Sequence, residues 1–279
     1  MQIVLHLFPD SPIYLEFSYY PKLAAAIYQV LSASDKTFAT NLHHGEAFQN
    51  RIKLFGFSPL HSRQTEIHHR VKKQNKSGGL VFKGPCTFHI CSPWPEIMKC
   101  LMDGFAKAPI LRIGCQLVMV KQAVFQQPPS FSKKMVWRLL KPSSCITSWS
   151  CPNQKKKQYA LPGMPVCAQS CEKLLQQNLF HKWQRLKDVR PDIAAAWLKQ
   201  DTGSKTADFS LDDIAISLLP LSGDRNCHRK RHAIKKTSVF SWIAPIKIIA
   251  PKTLQRLAWS CGLGEMNSMG FGVVKEAIK

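Results

Sequence analysis

The most distinctive chemical feature of the chain is a glycine-rich segment near its C-terminus, residues 262–274. Two glycine pairs, Gly262 with Gly264 and Gly270 with Gly272, bracket five residues. Dinucleotide folds and P-loops place their glycines after a strand and before a helix. Here they follow a helical apolar pattern and precede an apolar stretch, and no Gly-Lys-Ser/Thr is present. The segment therefore predicts a turn whose backbone N–H groups approach a phosphate chain; a turn that only permits close packing of the last strand is the alternative.

The net charge of the chain points to an anionic partner. Its 279 residues contain 39 Lys and Arg against 17 Asp and Glu, a formal net charge of +22. Such a surplus repels itself unless a partner neutralises it, and nucleic acid is the leading candidate. The basic residues form two groups, although each group alone could be a solvated loop. They are Arg70, Lys72, Lys73 and Lys76 in the first half, and Arg225, Arg229, Lys230, Arg231, Lys235 and Lys236 in the second.

The N-terminal sequence and the cysteines together predict a cytoplasmic location. Residues 1–9 read as a strand without the charged region of a signal peptide, and no apolar run approaches the roughly 20 residues that span a bilayer. The ten cysteines are therefore expected to be reduced thiols. Their tightest pairs, Cys167 with Cys171 and Cys86 with Cys91, lack the two-residue gap of a zinc knuckle. We predict no membrane contact, no metal site and no cofactor.

Two similar halves of the chain must position these residues. The first half has β-forming stretches at residues 2–7, 52–57, 79–82, 87–91 and 110–125, with helices beginning at Pro21 and Pro95. The second half has strands at 135–140, 238–249 and 270–277, helices at 175–186, 193–198 and 252–261, an irregular insert at 142–165 and a charged loop at 225–231.

The order in both halves is β-α-β-β-α-β, the split βαβ arrangement. The sequence therefore predicts an α+β protein of two tandem ferredoxin-like (RRM-like) domains. We expect them at residues 1–125 and 135–279, joined by a Gln/Pro/Ser linker at 126–134. RRM modules bind RNA on the open face of such a sheet.

Several segments carry a family resemblance. They are Ala-Ala-Ile-Tyr at 25–28, Leu-His at 42–43, Lys-Leu-Phe-Gly-Phe-Ser-Pro-Leu at 53–60, Asn-Leu-Phe-His-Lys-Trp at 178–183 and the glycine-rich residues 262–272. Together they resemble the CRISPR repeat-processing endoribonucleases, the sixth numbered Cas family, within the repeat-associated (RAMP) superfamily. The resemblance covers nearly the whole chain, and the glycine-rich tail is its most specific part.

The resemblance implies metal-independent cleavage of CRISPR precursor RNA within its repeats. The ribose 2′-hydroxyl attacks the adjacent phosphate and leaves a 2′,3′-cyclic phosphate and a 5′-hydroxyl. The resemblance assigns proton transfer to His43, in the loop before the second strand. It assigns charge stabilisation to Lys53, at the start of that strand, and orientation or proton donation to Tyr28, on the first helix. His44 is an alternative to His43, and both could instead be solvated histidines.

The same resemblance implies which residues bind RNA. The glycine-rich turn would contact the RNA backbone through its N–H groups, with Asn267 and Ser268 as side-chain donors, and the basic groups would add electrostatic binding. The expected partner is CRISPR repeat RNA, with an interference complex of other Cas proteins and a homodimer left open.

Two other functions compete with this hypothesis. One is a non-catalytic guide-RNA-binding subunit of the same superfamily, which the fold alone does not distinguish from a nuclease. The other is a zinc-stabilised DNA-binding protein that uses the cysteines and basic loops. No helix-turn-helix or finger spacing supports the second.

Overall fold

The structure, a computed structural model, describes residues 1–44, 53–68, 78–150, 157–204, 206–220, 228–234 and 237–277, without the side chain of His44. Some predicted features lie outside these residues. They are the basic residues Arg70, Lys72, Lys73, Lys76, Arg225, Lys235 and Lys236, and the start of the strand expected at 52–57.

The first half of the chain contains eight strands and three helices within the described residues. In chain order they are β1 (Gln2–Phe8), β2 (Ile13–Glu16), α1 (Tyr20–Ser34), α2 (Lys36–His44), β3 (Gly56–Phe57), β4 (Thr65–His68), β5 (Gly79–Phe82), β6 (Cys86–Cys91), α3 (Pro95–Lys107), β7 (Ile110–Ile113) and β8 (Gln116–Gln126).

The main sheet of this half has the order β3-β6-β1-β8-β7, with every neighbouring pair antiparallel. Without the extra edge strand β7, this is the strand order of a ferredoxin-like sheet. Alternate residues of β1, Ile3, Leu5 and Leu7, are fully buried, as the two-residue period of a strand requires. Strands β2, β5 and β4 form a separate small sheet.

The second half contains eight strands and three helices among the described residues. They are β9 (Lys134–Leu139), β10 (Ser148–Trp149), β11 (Gln158–Tyr159), α4 (Cys171–Val189), α5 (Pro191–Thr202), β12 (Ala215–Leu218), β13 (His228–Ile234), β14 (Thr237–Ile243), β15 (Ile246–Ile249), α6 (Lys252–Cys261) and β16 (Val274–Glu276).

The main sheet of this half, β12-β15-β9-β16, repeats the ferredoxin-like order. Helices α4 and α6 occupy the positions of the two crossover helices, and each buries an apolar stripe. The stripe on α4 is Leu175, Leu179, Trp183 and Leu186, as predicted. The α+β prediction of two tandem ferredoxin-like domains is therefore confirmed.

The structure corrects several predicted elements. The stretch at 110–125 is two strands, β7 and β8, because Gly114 adopts a positive φ of 64° between them. Residues 228–231, expected in a charged loop, lie on strand β13, which pairs with β14 in a two-stranded ribbon. The last strand begins at Val274 rather than at Gly270, since residues 267–269 form a 3-10 turn before it.

The two halves are joined by buried polar and aromatic contacts. The Gln2 side chain, at the start of β1, donates hydrogen bonds to the carbonyl oxygens of Trp259 (2.8 Å) and Val274 (3.2 Å). The Tyr20 ring at the start of α1 stacks on Phe271, with ring centroids 5.1 Å apart and planes 6° apart. These contacts bring the C-terminal glycine-rich segment against the first helix.

One expectation about the cysteines is wrong. Cys167 is disulfide-bonded, whereas Cys86, Cys91, Cys145 and Cys261 are buried thiols.

Among the described residues, no group of three or more His, Cys, Asp or Glu side chains could hold a metal ion. None of the helices in that part of the chain is long and apolar enough to cross a membrane.

Candidate active site

Helix α1 supplies one wall of the candidate site. Pro21 lies in its first turn, where the missing N–H costs nothing. Leu23, Ile27 and Leu31 bury the opposite face completely. Tyr28 therefore lies at the border of the buried stripe, with its ring half-buried and its hydroxyl directed toward neighbouring polar groups.

Helix α2 positions His43, and this helix was not predicted. Asp35 caps it by accepting a hydrogen bond from the Phe38 N–H at 2.9 Å. Leu42 is fully buried, so His43, the next residue, lies on the exposed side. The histidine is thus in the last turn of a helix rather than in a loop, and a helix fixes its backbone more firmly. His44 ends the helix, and its side chain lies outside the described part of the chain.

Lys53 connects Tyr28 to the end of α2. Its Nζ donates hydrogen bonds to Tyr28 Oη at 2.9 Å and to the His43 carbonyl oxygen at 3.2 Å. That carbonyl is one of the last four of the helix, which have no partner within it. Lys53 precedes the short strand β3 by three residues instead of starting it, because the strand covers only Gly56–Phe57.

A cavity of about 490 Å³ brings the predicted catalytic residues together. The rings of Tyr28 and His43 pack edge to face in its wall, with centroids 5.0 Å apart and planes at 78°. Its lining comes from α1, α2, the segment before β3 and the glycine-rich segment: Pro21, Ala24, Ala25, Tyr28, Gln29, Ser32, His43, Lys53, Ser268 and Met269. We refer to it as the catalytic cavity.

Burial changes the ionisation of two groups in this cavity. It raises the pKa of the Tyr28 phenol to about 12 and lowers the pKa of Lys53 from its ordinary value, since desolvation disfavours the charged form of each. Lys53 donates to the Tyr28 oxygen, so the phenol retains its own hydrogen for another acceptor. The cavity therefore holds a cation, an O–H donor and an imidazole side by side.

The glycine-rich segment completes the cavity from the other half of the molecule. Gly270 has φ +97°, and a Cβ there would lie 2.6 Å from Tyr20 Cδ1 on α1. Gly272 has φ +74°, and a Cβ there would collide with the Leu263 carbonyl oxygen. Only glycine tolerates both the conformation and the close approach. These contacts place Ser268 and Met269 at the edge of the catalytic cavity.

A buried lysine on α4 forms hydrogen bonds that stabilise the glycine-rich segment. Lys182 is 2% exposed, and its Nζ donates to the carbonyl oxygens of Gly262 (2.8 Å) and Gly264 (2.9 Å) and to Asn267 Oδ1 (2.8 Å). Burial lowers its pKa. Three short hydrogen bonds to oxygen dipoles compensate the ammonium for lost water.

The structure corrects the predicted roles of Asn267 and the glycines. The Asn267 amide nitrogen donates to the carbonyl oxygens of Leu263 and Phe271, both at 3.0 Å, and the residue is buried, so the amide stabilises the turn. The N–H groups of Gly262, Gly270 and Gly272 donate to Ala258, Asn267 and Ser144. The glycines thus shape the turn instead of offering these N–H groups outward.

Ser268 remains at the surface of the turn. In the 3-10 turn, the first backbone hydrogen bond is donated by the Met269 N–H to the Met266 carbonyl oxygen. The Ser268 N–H lies one residue earlier and takes no part in that bond. The side chain of Ser268 is partly exposed and lines the catalytic cavity.

The predicted basic side chains of β13 hydrogen-bond to residues that are not part of the catalytic cavity. Arg231 donates to Ser238 at 2.8 Å and its guanidinium lies 5.9 Å from the centre of the exposed Phe240 ring. Arg229 donates to the Pro162 carbonyl oxygen at 3.3 Å and Lys230 to that of Pro142 at 3.4 Å. None of the three lines the cavity.

Comparison with known proteins assigns the chain to a family. The family descriptions "CRISPR-associated protein Cas6, N-terminal" and "CRISPR associated protein Cas6, C-terminal" match residues 12–124 and 126–276. The chain belongs to the Cas6 family. It is 22% identical over 275 residues to the CRISPR-associated endoribonuclease Cas6 1 of Methanocaldococcus jannaschii, covering 98% of this chain and 92% of that protein.

Solved Cas6 structures share the fold. A Cas6-related protein from Pyrococcus furiosus has a TM-score of 0.71 at 18% identity, covering 99% of this chain and 98% of the other. Another CRISPR-associated Cas6 protein has a TM-score of 0.68 at 23% identity, with coverage of 100% and 99%. At these identities the similarity establishes the architecture alone.

Several residues that line or support the catalytic cavity were not predicted from the sequence. Gln29 and Ser32 line the catalytic cavity beside Tyr28, and their spacing of one and four residues from Tyr28 on a helix was the available signal. Lys182 was noted within the motif at 178–183, but nothing in the sequence indicated that it would be buried beneath the glycine-rich segment.

Proposed function

We propose that the protein is an endoribonuclease that cleaves CRISPR precursor RNA within its repeats without a metal ion. In this reaction the 2′-oxygen forms a bond to the adjacent phosphorus and the bond from phosphorus to the 5′-oxygen breaks. The products are a 2′,3′-cyclic phosphate and a 5′-hydroxyl. The catalytic cavity supports this proposal, because His43, Lys53 and Tyr28 line it together.

His43 would transfer protons. An imidazole titrates near neutral pH and can accept the 2′-hydroxyl proton or return a proton to the 5′-oxygen. Its position in the last turn of α2 brings its ring into edge-to-face contact with Tyr28. His44 remains the alternative for this role.

Lys53 and Tyr28 would stabilise the negative charge that develops on the phosphate oxygens. The hydrogen bonds of Lys53 to Tyr28 and to the His43 carbonyl hold its ammonium in place before RNA arrives. Preorganised donors of this kind stabilise a transition state more than mobile ones do. The O–H of Tyr28 can donate to the same phosphate or to the leaving oxygen.

RNA binding would extend beyond the catalytic cavity. Ser268 offers a donor at its edge, and Arg229, Lys230 and Arg231 add positive charge on the β13–β14 ribbon. A larger cavity of about 700 Å³ lies between the two halves, and its lining includes Arg138, Lys141 and Lys275. Phosphate contacts of this kind supply affinity with little sequence preference.

The experiment is a cleavage assay with repeat RNA in EDTA, paired with the same RNA carrying 2′-deoxyribose just upstream of the scissile phosphate. We expect cleavage in EDTA, a cyclic phosphate on the upstream product, and complete loss of cleavage with the deoxy sugar. Tight binding without cleavage would contradict the proposal and favour a guide-RNA-binding subunit. Cleavage that requires a divalent cation would contradict its metal-independent form.

A further inference from the structure

A second cavity adjoins the catalytic cavity on the far side of Lys53. It encloses about 420 Å³ and shares Lys53, Ser268 and Met269 with its neighbour. Its remaining wall includes Lys157, Asn178 and Glu265. The proposed reaction uses none of these last three residues. Because the two cavities share a wall, an RNA strand whose phosphate lies at Lys53 has its adjoining nucleotide within reach of the second cavity.

The charge of this cavity favours an anionic ligand. Lys53, Lys157 and Lys182 contribute three positive charges and Glu265 one negative charge, which leaves a formal charge of +2. Lys157 pairs with Glu265 at 3.0 Å and is largely exposed. Lys182 is buried and cannot contact a ligand closely, but its charge still acts on the cavity at short range.

Asn178 gives the cavity a side chain that can hydrogen-bond to the polar edge of a ligand. It lies one helical turn before Lys182 on α4, on the same face. Its Oδ1 is buried and has no hydrogen-bond partner among the described residues, although buried amide oxygens nearly always have one. An amide offers both donors and an acceptor, the combination that matches the edge of a nucleobase.

We propose that this cavity binds the base of a nucleotide adjoining the scissile phosphate, and that Asn178 hydrogen-bonds to its edge. The inference rests on the proposed function for the identity of the ligand. A volume of about 420 Å³ suits one unstacked nucleotide, since small-molecule sites begin at about 300 Å³. Lys157 would contact the phosphate on the outer side of that nucleotide.

The test is a binding experiment in which a protein change and an RNA change are combined. The RNA is the repeat of the CRISPR array in the same genome, with 2′-deoxyribose at the cleavage site, or unmodified if the protein does not cleave it. Single abasic nucleotides are placed at each position in turn. The dissociation constant is measured for wild type, Asn178→Ala, Asn178→Asp and the control Lys173→Ala, an exposed residue on the same helix.

We expect one abasic position to weaken binding to wild type by about 10-fold, which corresponds to the loss of one good base contact. Asn178→Ala should weaken binding to intact RNA similarly and be insensitive, within about 2-fold, to the abasic change at that position. Asn178→Asp keeps the size of the side chain and should share this insensitivity, which guards against a folding defect in the alanine variant. Lys173→Ala should behave as wild type.

The inference is overturned if the losses from Asn178→Ala and from every abasic position simply multiply, or if no position near the cleavage site matters. Because the experiment measures binding, it tests the base site separately from cleavage. A protein that shows this coupling but does not cut RNA would contradict the proposed nuclease activity and support the base site. A protein that cuts RNA but shows no coupling between Asn178 and any abasic position would support the nuclease activity and contradict the base site.

Discussion

Burial sets the ionisation of Lys53 and Tyr28, which contact each other in the catalytic cavity. The ammonium donates to the phenol oxygen at 2.9 Å, and both groups are partly removed from water. Burial keeps the phenol protonated and makes the lysine lose its proton more readily than an exposed lysine would. The alkaline limit of activity should therefore depend on the lysine.

We predict that Lys53, not Tyr28, sets the alkaline limb of the cleavage rate. The pKa of Tyr28 is raised to about 12, so its proton is retained throughout the working range. The pKa of Lys53 is lowered, so the charged form is lost at a lower pH than usual. Tyr28→Phe should be slower but keep the wild-type pH profile from pH 6 to 10. Lys53→Arg, always charged, should lose the alkaline limb.

This prediction fails if the limb disappears in Tyr28→Phe or persists unchanged in Lys53→Arg. Single-turnover rates at saturating protein are the proper measurement, because they separate the chemical step from RNA binding and product release.

Replacing His43 with alanine should lower the single-turnover cleavage rate by about 10²–10⁴-fold, the usual contribution of an acid–base group. RNA affinity should change little, because the imidazole is not a main source of positive charge. His181→Ala is the matched control, since His181 is an exposed histidine on α4, and it should retain full activity. Full activity in His43→Ala would transfer the role to His44.

The sequence predicted three residues that line the catalytic cavity but not the others around them. The family resemblance named Tyr28, His43 and Lys53, and the structure brings these three into one cavity. Gln29 and Ser32 are ordinary exposed residue types, so nothing but the position of Tyr28 distinguishes them. The burial of Asn267 and Lys182 depends on contacts between segments far apart in sequence, which local patterns do not contain.

At the scale of elements, the glycine-rich segment is shaped by close backbone packing. Gly272 and Gly203 offer a comparison, because both have similar positive φ values, +74° and +77°. A Cβ at Gly203 would meet nothing within 4 Å, whereas one at Gly272 would collide with the Leu263 carbonyl.

We predict that Gly272→Ala lowers the free energy of unfolding by clearly more than Gly203→Ala. The second change should cost about 1–2 kcal/mol, the conformational penalty alone. The first adds the collision and displaces the turn, so cleavage should fall as well. Urea unfolding of the two variants measures the difference, and equal losses would mean that the packing at Gly272 relaxes freely.

Lys182→Met should lower the free energy of unfolding by about 1–3 kcal/mol, since it leaves buried oxygens of Gly262, Gly264 and Asn267 without their donor. Cleavage should fall with it, because Ser268 and Met269 lose their support. Lys187→Met on the same helix removes the pair with the exposed Asp208 and should cost much less, because water and salt screen a surface pair. Similar losses in both variants would contradict this role for Lys182.

The regular elements were predictable where periodicity was strong. Helices α1, α3, α4 and α6 each have apolar residues at helical spacing, and all four were identified. Helix α2 was missed because Ala39 and Leu42 alone are buried among its described side chains. Basic residues dominate the start of strand β13, so composition predicts a loop there. Its pairing with β14 in the ribbon provides the stability that composition does not indicate.

At the scale of the whole molecule, an aromatic cluster joins the two halves beside the catalytic cavity. The His232 ring packs edge to face against Tyr20 and Phe271, at 5.4 and 5.1 Å between centroids. Its Nε2 is 2.8 Å from Ser241 Oγ. Burial, with a smaller effect of Lys230, lowers its pKa to about 4, so the ring is neutral at pH 7.

We predict that His232 makes the protein less stable in mild acid. The unfolded histidine takes up a proton near pH 6.5 and the folded one only near 4, so the unfolded state binds more protons between these values and stability falls as the pH decreases. Between pH 7 and 4.5, His232→Gln should lose less unfolding free energy than wild type. Denaturant melts at several pH values measure this, and parallel pH dependences would contradict the prediction.

The catalytic cavity takes Tyr28, His43 and Lys53 from the first half of the chain and Ser268 and Met269 from the glycine-rich segment. During translation the first half leaves the ribosome well before that segment is made. A nascent chain can fold its first sheet but has no complete cavity until residues 262–274 emerge and dock on α1. On the proposed function, the site that cuts RNA is therefore incomplete in any nascent chain that has not yet made and docked the glycine-rich segment.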